Sequence, residues 1–357
     1  MSYQLTIEPT GDEVEVEEGQ NMLDACLRAG VWMPHACCHG LCGTCKVEVL
    51  EGDVDVGDVD VGDASSFALM DMERDEGKVL ACCATLESDT VIEADIDEDP
   101  DARIIPVRDF EAEIVRLENL THDVKGIWLK LDGEGLDFQA GQYINFHVPG
   151  VEVPRAFSLA NKPSDPQLIE LHVRLVPDGE ATPIIHNDLK PGDRVSITGP
   201  YGRFFVRKSR TEPMVFIAGG TGLSSPKSMI LDLLETGCTT PITLLHGVRA
   251  KKDLYDDDTF GSLAAKHRNF TYIPVLSQME DDDEWTGETG FVHEAALRHF
   301  NSLFSGNTAY LCGPPVMIEA AIRALMQGRL FEKDIFTERF LTKGEESRKR
   351  SPVFKRL

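Results

Sequence analysis

Cys37, Cys42 and Cys45 stand in the spacing C-x4-C-x2-C, a run whose thiolates can wrap one side of a [2Fe-2S] core. Such a core needs four soft thiolates, two on each iron. The fourth must come from elsewhere, and Val79-Leu80-Ala81-Cys82-Cys83 offers two adjacent thiols for it. Gly40 and Gly43 are expected to bring the loop backbone close to the inorganic sulfides, where a Cβ would collide. Zinc also takes four thiolates, but structural zinc sites come as two short pairs, so a three-plus-one set favours iron–sulfur. Cys26, Cys38, Cys83 and Cys238 read as small buried apolar groups or inert thiols.

Further along, Arg155-Ala156-Phe157-Ser158 combines a cation for a phosphate, an aromatic for a ring face and a hydroxyl for a ring nitrogen. Gly179-Glu180-Ala181-Thr182 offers amides and a hydroxyl suited to a pyrophosphate, and Gly199-Pro200-Tyr201-Gly202 reads as a turn. Gly219-Gly220-Thr221-Gly222 departs from the G-x-G-x-x-G fingerprint, yet glycines between a strand and a helix still admit a phosphate to a helix N-terminus. Cys312-Gly313-Pro314-Pro315 marks a second strand-to-helix switch, with proline placed for an early helical position.

The elements that must position these groups fall into three blocks. In the first, residues 3–9 and 13–17 alternate as a hairpin, and Asn21 caps a helix whose face is Leu23, Cys26 and Leu27 and whose end is Gly30. A strand is expected at 46–50. The tandem copy Asp53-Val54-Asp55-Val56-Gly57 and Asp58-Val59-Asp60-Val61-Gly62 reads as a loop extension. A helix capped by Ser65 should run to Glu73, with strands at 79–86 and 91–96. This spells a β-grasp domain over 1–100, followed by an acidic, proline-flanked linker. Strands at 111–117, 127–131, 143–148 and 169–175, with one short helix at 184–189, predict an antiparallel barrel over 101–207. From Met214 strands and helices alternate, predicting a parallel-sheet βαβ half over 208–342 before a basic tail, 343–357. The fold class is therefore multidomain, α+β and α/β.

At 357 residues the chain is long for a single core. A formal net charge of −26 argues against nucleic acid and anionic membranes, and favours a partner with a positive patch. No apolar run approaches the ~20 residues of a membrane span. The opening residues read as a strand rather than a secretory signal, so a cytoplasmic protein is expected, and nine cysteines there point to metal rather than disulfides.

In this order the motifs resemble the ferredoxin–NADP reductase superfamily with an N-terminal plant-type ferredoxin, over nearly the whole chain. More narrowly, the chain is similar to the reductase component of phenol hydroxylase and related multicomponent aromatic monooxygenases. The stretches that carry this are Ser66-Phe67-Ala68-Leu69-Met70-Asp71, Glu73 through Cys83, Ala140-Gly141-Gln142-Tyr143-Ile144-Asn145, Gly222-Leu223-Ser224-Ser225-Pro226 and Met326-Gln327-Gly328-Arg329-Leu330-Phe331-Glu332. The resemblance implies FAD on Arg155, Phe157, Ser158 and Asn161, with Ser158 beside flavin N5 and with His172, Arg174 and Thr182 along the ribityl and phosphates. It implies nicotinamide near Cys312 and Glu338, the nucleotide on Gly219, Gly220, Thr221, Gly222, Gly313 and Pro314, and Phe340 shielding the flavin. Ser158, Cys312 and Glu338 would carry the catalysis. Cys82 would be the fourth cluster ligand, on the argument that consecutive strand residues face opposite ways. Electrons would pass from NADH to FAD to the [2Fe-2S] cluster and on to a di-iron hydroxylase. The chain itself lacks the Glu-x-x-His pairs of such a hydroxylase. NADH is expected over NADPH by resemblance, since Asp253 opposes a 2′-phosphate while Arg249, Lys251 and Lys252 would accept one. Other readings are the reductase of a Rieske-type dioxygenase, with the same carriers and a different acceptor, and a redox-sensing binding protein.

Overall fold

The computed structural model describes residues 1–40, 42–56, 68–96, 99–280 and 284–340. They form two compact units, Met1–Asp109 with Thr198–Gly202, and Phe110–Ile197 with the described residues from Arg203 onward.

The first unit is built on a five-stranded sheet in the order Asp12–Glu17, Ser2–Glu8, Thr90–Glu93, Lys46–Glu51, Lys78–Leu80. The expected hairpin forms, and its alternation buries Leu5, Ile7, Val14 and Val16 on one face. Ser2–Glu8 also lies parallel to Thr90–Glu93, a pairing that requires a crossover, and the helix Met22–Ala29 occurs within it. Asn21 Oδ1 caps that helix by accepting from Asp24 N–H at 2.8 Å, and Gly30 ends it in the left-handed region. Two expectations are corrected. The strand read at 79–86 is split into Lys78–Leu80 and Thr85–Leu86 by a turn holding Cys82 and Cys83, closed by Cys83 N–H donating to Leu80 O. The next helix is only Asp71–Asp75, because the Glu73 carboxylate reaches back to Met70 N–H and sets the start there; Ser65 lies outside the described residues. Val54–Asp55, from the first copy of the repeat, pairs with Thr85–Leu86, while the second copy lies outside the described residues.

The antiparallel barrel has the order Arg155–Ser158, Tyr143–His147, Arg194–Tyr201, Arg108–Asn119, Val124–Leu131, Leu168–Arg174. A bridge between Leu159 and Leu171 links its two ends, so it is nearly closed and has little free edge. Along Leu168–Arg174 the period of two turns Ile169, Leu171 and Val173 into the barrel core with Phe138, Ile144 and Phe146, and leaves Glu170, His172 and Arg174 on the other face. Each fully buried large side chain here contributes about 1.5–3 kcal/mol by transfer from water. Gly199-Pro200-Tyr201, read as a turn, instead completes the strand Arg194–Tyr201.

The remaining sheet is wholly parallel, in the order Glu288–Thr289, Phe270–Leu276, Ile242–Val248, Met214–Gly219, Thr308–Gly313, Ile335–Arg339. The chain enters at Met214–Gly219, winds outward, then returns to lay Thr308–Gly313 on the other side of the entry strand. Strand order therefore reverses between these two neighbours, and in such sheets ligands bind outside the carboxyl ends at that point. Both chemistry-bearing stretches, Gly219–Gly222 and Cys312–Gly313, sit there. Helices cover both faces, with one core around Phe216, Leu244 and Tyr310 and another around Ile217, Leu245 and Leu311. No described helix is long and apolar enough to cross a membrane.

Candidate functional site

The cysteine loop brings four thiols together as two pairs. Cys45 Sγ and Cys82 Sγ are 3.2 Å apart, and Gly40 N–H points at Cys82 Sγ from 3.2 Å. The Cys37 side chain hydrogen-bonds Cys42 and, with the N–H groups of Cys37 and Thr44, holds the Cys42 thiol down at about 5 despite its burial. Hydrogen bonding to Cys82 and burial push the Cys45 thiol the opposite way. Among the described residues, three ligand atoms within 4.8 Å of one another occur only at His122, Asp123 and Asp253. No three of these sulfurs therefore share one tetrahedral zinc sphere, in which bonds of about 2.3 Å would place them about 3.8 Å apart. A two-plus-two set with main-chain N–H donors fits a [2Fe-2S] core. Cys82 is buried and Cys83 half-buried, so Cys82 faces the set, but through turn geometry rather than strand alternation. Gly43 has its own reason: at φ +70° it packs so closely that a Cβ would lie 2.7 Å from Ala68 O.

At the switch point of the parallel sheet, one carboxylate gathers the predicted residues. Register places Cys312 beside both Ala218 and Glu338. Glu338 Oε2 accepts from Ser158 Oγ at 3.1 Å, from Ser225 Oγ at 2.7 Å and from Cys312 Sγ at 3.6 Å. Ser158 arrives from the barrel strand Arg155–Ser158, so its hydroxyl and the Cys312 thiol meet on one oxygen of Glu338. Burial raises the Glu338 carboxyl to about 7, against the downward pull of its three donors. Burial likewise pushes the Cys312 thiol up, so it stays protonated and donates. Gly222 permits the closeness, since a Cβ there would stand 2.3 Å from Cys312 O. Ser225 was not among the sequence candidates. Its signal is position, one residue into the helix Ser224–Glu235 that follows the glycine turn.

The other expected residues divide. Arg155 donates to Glu180 Oε2 at 2.8 Å, which draws its guanidinium to the segment leading into the helix Thr182–Asn187. The cation therefore lies beside the segment that leads into this helix, its charge paired with a carboxylate of that segment. The Thr182 hydroxyl is engaged with both N–H and C=O of Val176. Phe157 leans edge-on against Phe146 at 6.3 Å and packs on the barrel core. Phe340 follows the strand Ile335–Arg339, its N–H bonded to Gly313 O at 3.1 Å. Three residues turn elsewhere. The Asn161 amide is engaged by the main chain of Lys162, Asp165 and Glu170. Arg174 pairs with Asp123 at 2.9 Å. His172 is enclosed, its Nε2 3.0 Å from Glu170 Oε1. Gly220 and Thr221 open a short 3-10 turn, Gly220–Leu223, whose leading N–H groups lack helical acceptors. Gly219 packs against Met317 and Pro314. Asp253, expected near the ribose, accepts from Ala250 N–H at 2.9 Å and so caps its own turn.

Three family models match the chain: a 2Fe-2S iron-sulfur cluster binding domain over residues 5–87, an oxidoreductase FAD-binding domain over 111–206 and an oxidoreductase NAD-binding domain over 216–323. The reductase component of phenol 2-monooxygenase from Pseudomonas sp. strain CF600 is 57% identical, with 100% of each chain covered. The phenol hydroxylase P5 protein of Acinetobacter pittii strain PHEA-2 is 54% identical, again with 100% of each covered. Among solved structures, the Amycolatopsis cytochrome P450 reductase GcoB superposes with a TM-score of 0.86 at 37% identity, over 95% of this chain and 98% of that one. The ferredoxin reductase in carbazole 1,9a-dioxygenase gives 0.79 at 26% identity, over 96% and 99%.

Proposed function

Because the chain belongs to the family of NAD- and FAD-binding oxidoreductases with a 2Fe-2S domain that includes the phenol 2-monooxygenase reductase components, we propose that it supplies electrons from NADH to the hydroxylase of a phenol-oxidising, di-iron monooxygenase. The meeting of Ser158, Ser225 and Cys312 on Glu338 at the switch point carries this reading, since it joins the barrel to the nucleotide sheet at one atom. When bound, FAD would supply two-electron hydride chemistry and the cluster one-electron carriage, so that together they would match carriers of unequal capacity.

The protein's own groups do the positioning. Arg155 and the segment at 179–182 would hold FAD phosphates, Phe157 and Phe340 the ring, and the turn Gly220–Leu223 the nucleotide. Gly313 and Pro314, beside that turn, would close against the nicotinamide half. Cys37 with Cys42, and Cys45 with Cys82, would each hold one iron. Glu338 Oε2, near neutrality, holds a proton below about pH 7 and releases it above. Ionised, it gathers the Ser158, Ser225 and Cys312 hydrogens and sets a negative charge beside the nicotinamide, where loss of hydride would leave positive charge; protonated, it supplies none. Hydride transfer should therefore speed up as pH rises through 7.

We read three domains, 1–100, 101–207 and 208–342, and the matched models support that division. Nine cysteines, four of them gathered as the candidate ligand set, suit a reducing, cytoplasmic setting, and a net charge of −26 suits neither nucleic acid nor an anionic membrane. Purified protein mixed with NADH under argon should bleach its flavin and then reduce a phenol-type hydroxylase. Flavin bleaching without transfer to that hydroxylase, but with transfer to a Rieske-type dioxygenase, would move the acceptor and keep the chemistry. No bleaching would end the reading.

A further inference from the structure

We propose that Tyr255, together with His246, is a positioning residue for the nucleotide: it fixes the Gly220–Thr221 peptide so that the Thr221 N–H faces the pyrophosphate. This rests on the reading of the glycine turn as the phosphate site. Tyr255 is 4% exposed, and its hydroxyl donates to Gly220 O at 3.4 Å. His246, fully buried in the strand Ile242–Val248, brings Nε2 to the same oxygen at 3.3 Å. In a trans peptide the C=O and the following N–H point opposite ways. A carbonyl held inward by two donors therefore turns the Thr221 N–H outward, in the first turn of Gly220–Leu223, where no helical acceptor claims it. Gly220 sits at φ +53°, a conformation that glycine adopts without a Cβ penalty, so the peptide is free to take the orientation the two donors set. Burial keeps both anchors neutral, pushing Tyr255 up and His246 down to about 4, so the phenol remains a donor.

Tyr255 is itself held from three sides. Its ring meets His172 edge-on at 5.1 Å and His246 at 5.7 Å. The next residue, Asp256, adopts φ 56° without capping the helix Asp257–Lys266; its carboxylate instead accepts from Lys227 Nζ at 2.8 Å. Lys227 Nζ also donates to Glu170 Oε1 at 2.8 Å, and Glu170 meets His172. Burial opposes the Glu170 charge, yet His172 and Lys227 hold its carboxyl at about 2. The barrel strand, the helix after the glycine turn and the start of the next helix thus converge on one phenol. A non-glycine residue in the left-handed region persists where its surroundings over-determine it, and Asp256 is so placed.

The test is inhibition of NADH oxidation by ADP-ribose, which carries the pyrophosphate, against adenosine, which does not. Tyr255→Phe keeps the ring and removes the donor. It should raise the KM for NADH and the Ki of ADP-ribose about threefold to tenfold, as expected for one lost hydrogen bond. The Ki of adenosine, kcat, the flavin spectrum and the cluster EPR signal should stay unchanged. His246→Leu should show the same loss, and His246→Gln, which keeps a donor at the Nε2 position, should restore it. If wild-type protein binds ADP-ribose no better than adenosine, the phosphate reading of the turn falls and this inference with it. If it discriminates but Tyr255→Phe leaves both constants unchanged, or lowers kcat alone, the turn reading stands and the anchor is wrong.

Discussion

The cysteine loop and the Glu338 pocket each hold four polar groups together, and they do so by opposite means. Three of the four thiols come from a single loop, and the fourth from a turn that the strand Lys78–Leu80 delivers beside Cys45. Ser158, Ser225, Cys312 and Glu338 come from four separate elements, with 180 residues between the first and last. A local site is set by spacing; a distributed one is set by sheet order and register. The first should therefore fail all at once when one ligand goes, whereas the second should lose activity by degrees.

The largest effect tests the all-or-none half. Cys82→Ser should abolish the plant-type visible and EPR signature and cut electron transfer to the hydroxylase by at least about a hundredfold, because three thiolates do not complete the core. FAD reduction by NADH should persist. Cys83→Ser should leave the signature in place, and the reverse pattern would reassign the ligand.

Next comes the shared carboxylate. Glu338→Gln, which can never ionise, should slow flavin reduction at pH 8 by about tenfold to a hundredfold, through loss of a charge set beside the reacting ring. The wild-type rate should rise through an inflection near pH 7 that the variant lacks. Stability gives an independent reading of the same group. A carboxyl raised by burial contributes stability fully present below its ordinary pKa near 4.5 and lost as pH rises through about 7. The wild-type melting temperature should thus drop relative to Glu338→Gln between pH 5 and pH 7. Parallel melting curves across that interval would contradict the assignment.

The same contrast governs what could be read beforehand. The C-x4-C-x2-C run, the order of the three blocks and the strand-to-glycine switch at Met214–Gly219 were legible because each is a local pattern. The meeting of Ser225 with Glu338 was not, because a separation of 113 residues says nothing until the sheet order is known. Gly199-Pro200-Tyr201 misled as a turn, since glycine and proline mark turns locally while ladder pairing places this segment in a strand. Strand alternation, one of the grounds for choosing Cys82, does not apply, because a turn rather than a strand carries it, and the short Thr85–Leu86 strand hides that turn in the sequence. Asn161 and Arg174 were inferred from resemblance, and the protein contacts they make, with Glu170 N–H and the Asp123 carboxylate, have no local signature in the sequence.

A smaller effect separates the two regions electrostatically. Carboxylates crowd residues 53–101 of the cluster-bearing unit, so transfer to a hydroxylase with a positive patch should slow about tenfold between 0.05 and 0.5 M salt as screening shortens. NADH reduction of the flavin should change little, and equal salt dependence of both steps would remove the steering idea. The smallest expected effect is that of Ser225→Ala, about threefold on flavin reduction, since Glu338 keeps two of its three donors. A loss as large as that of Glu338→Gln would mean that the pocket acts as an indivisible unit, like the cysteine loop.

The order of the carriers is tested most directly by mixing the wild-type protein with NADH anaerobically and following flavin absorbance, cluster absorbance and freeze-quenched EPR together. Flavin bleaching should come first, cluster reduction second, and reoxidation of both should follow on adding the hydroxylase. Cluster reduction that precedes flavin bleaching, or that proceeds unchanged in protein stripped of FAD, would contradict the account.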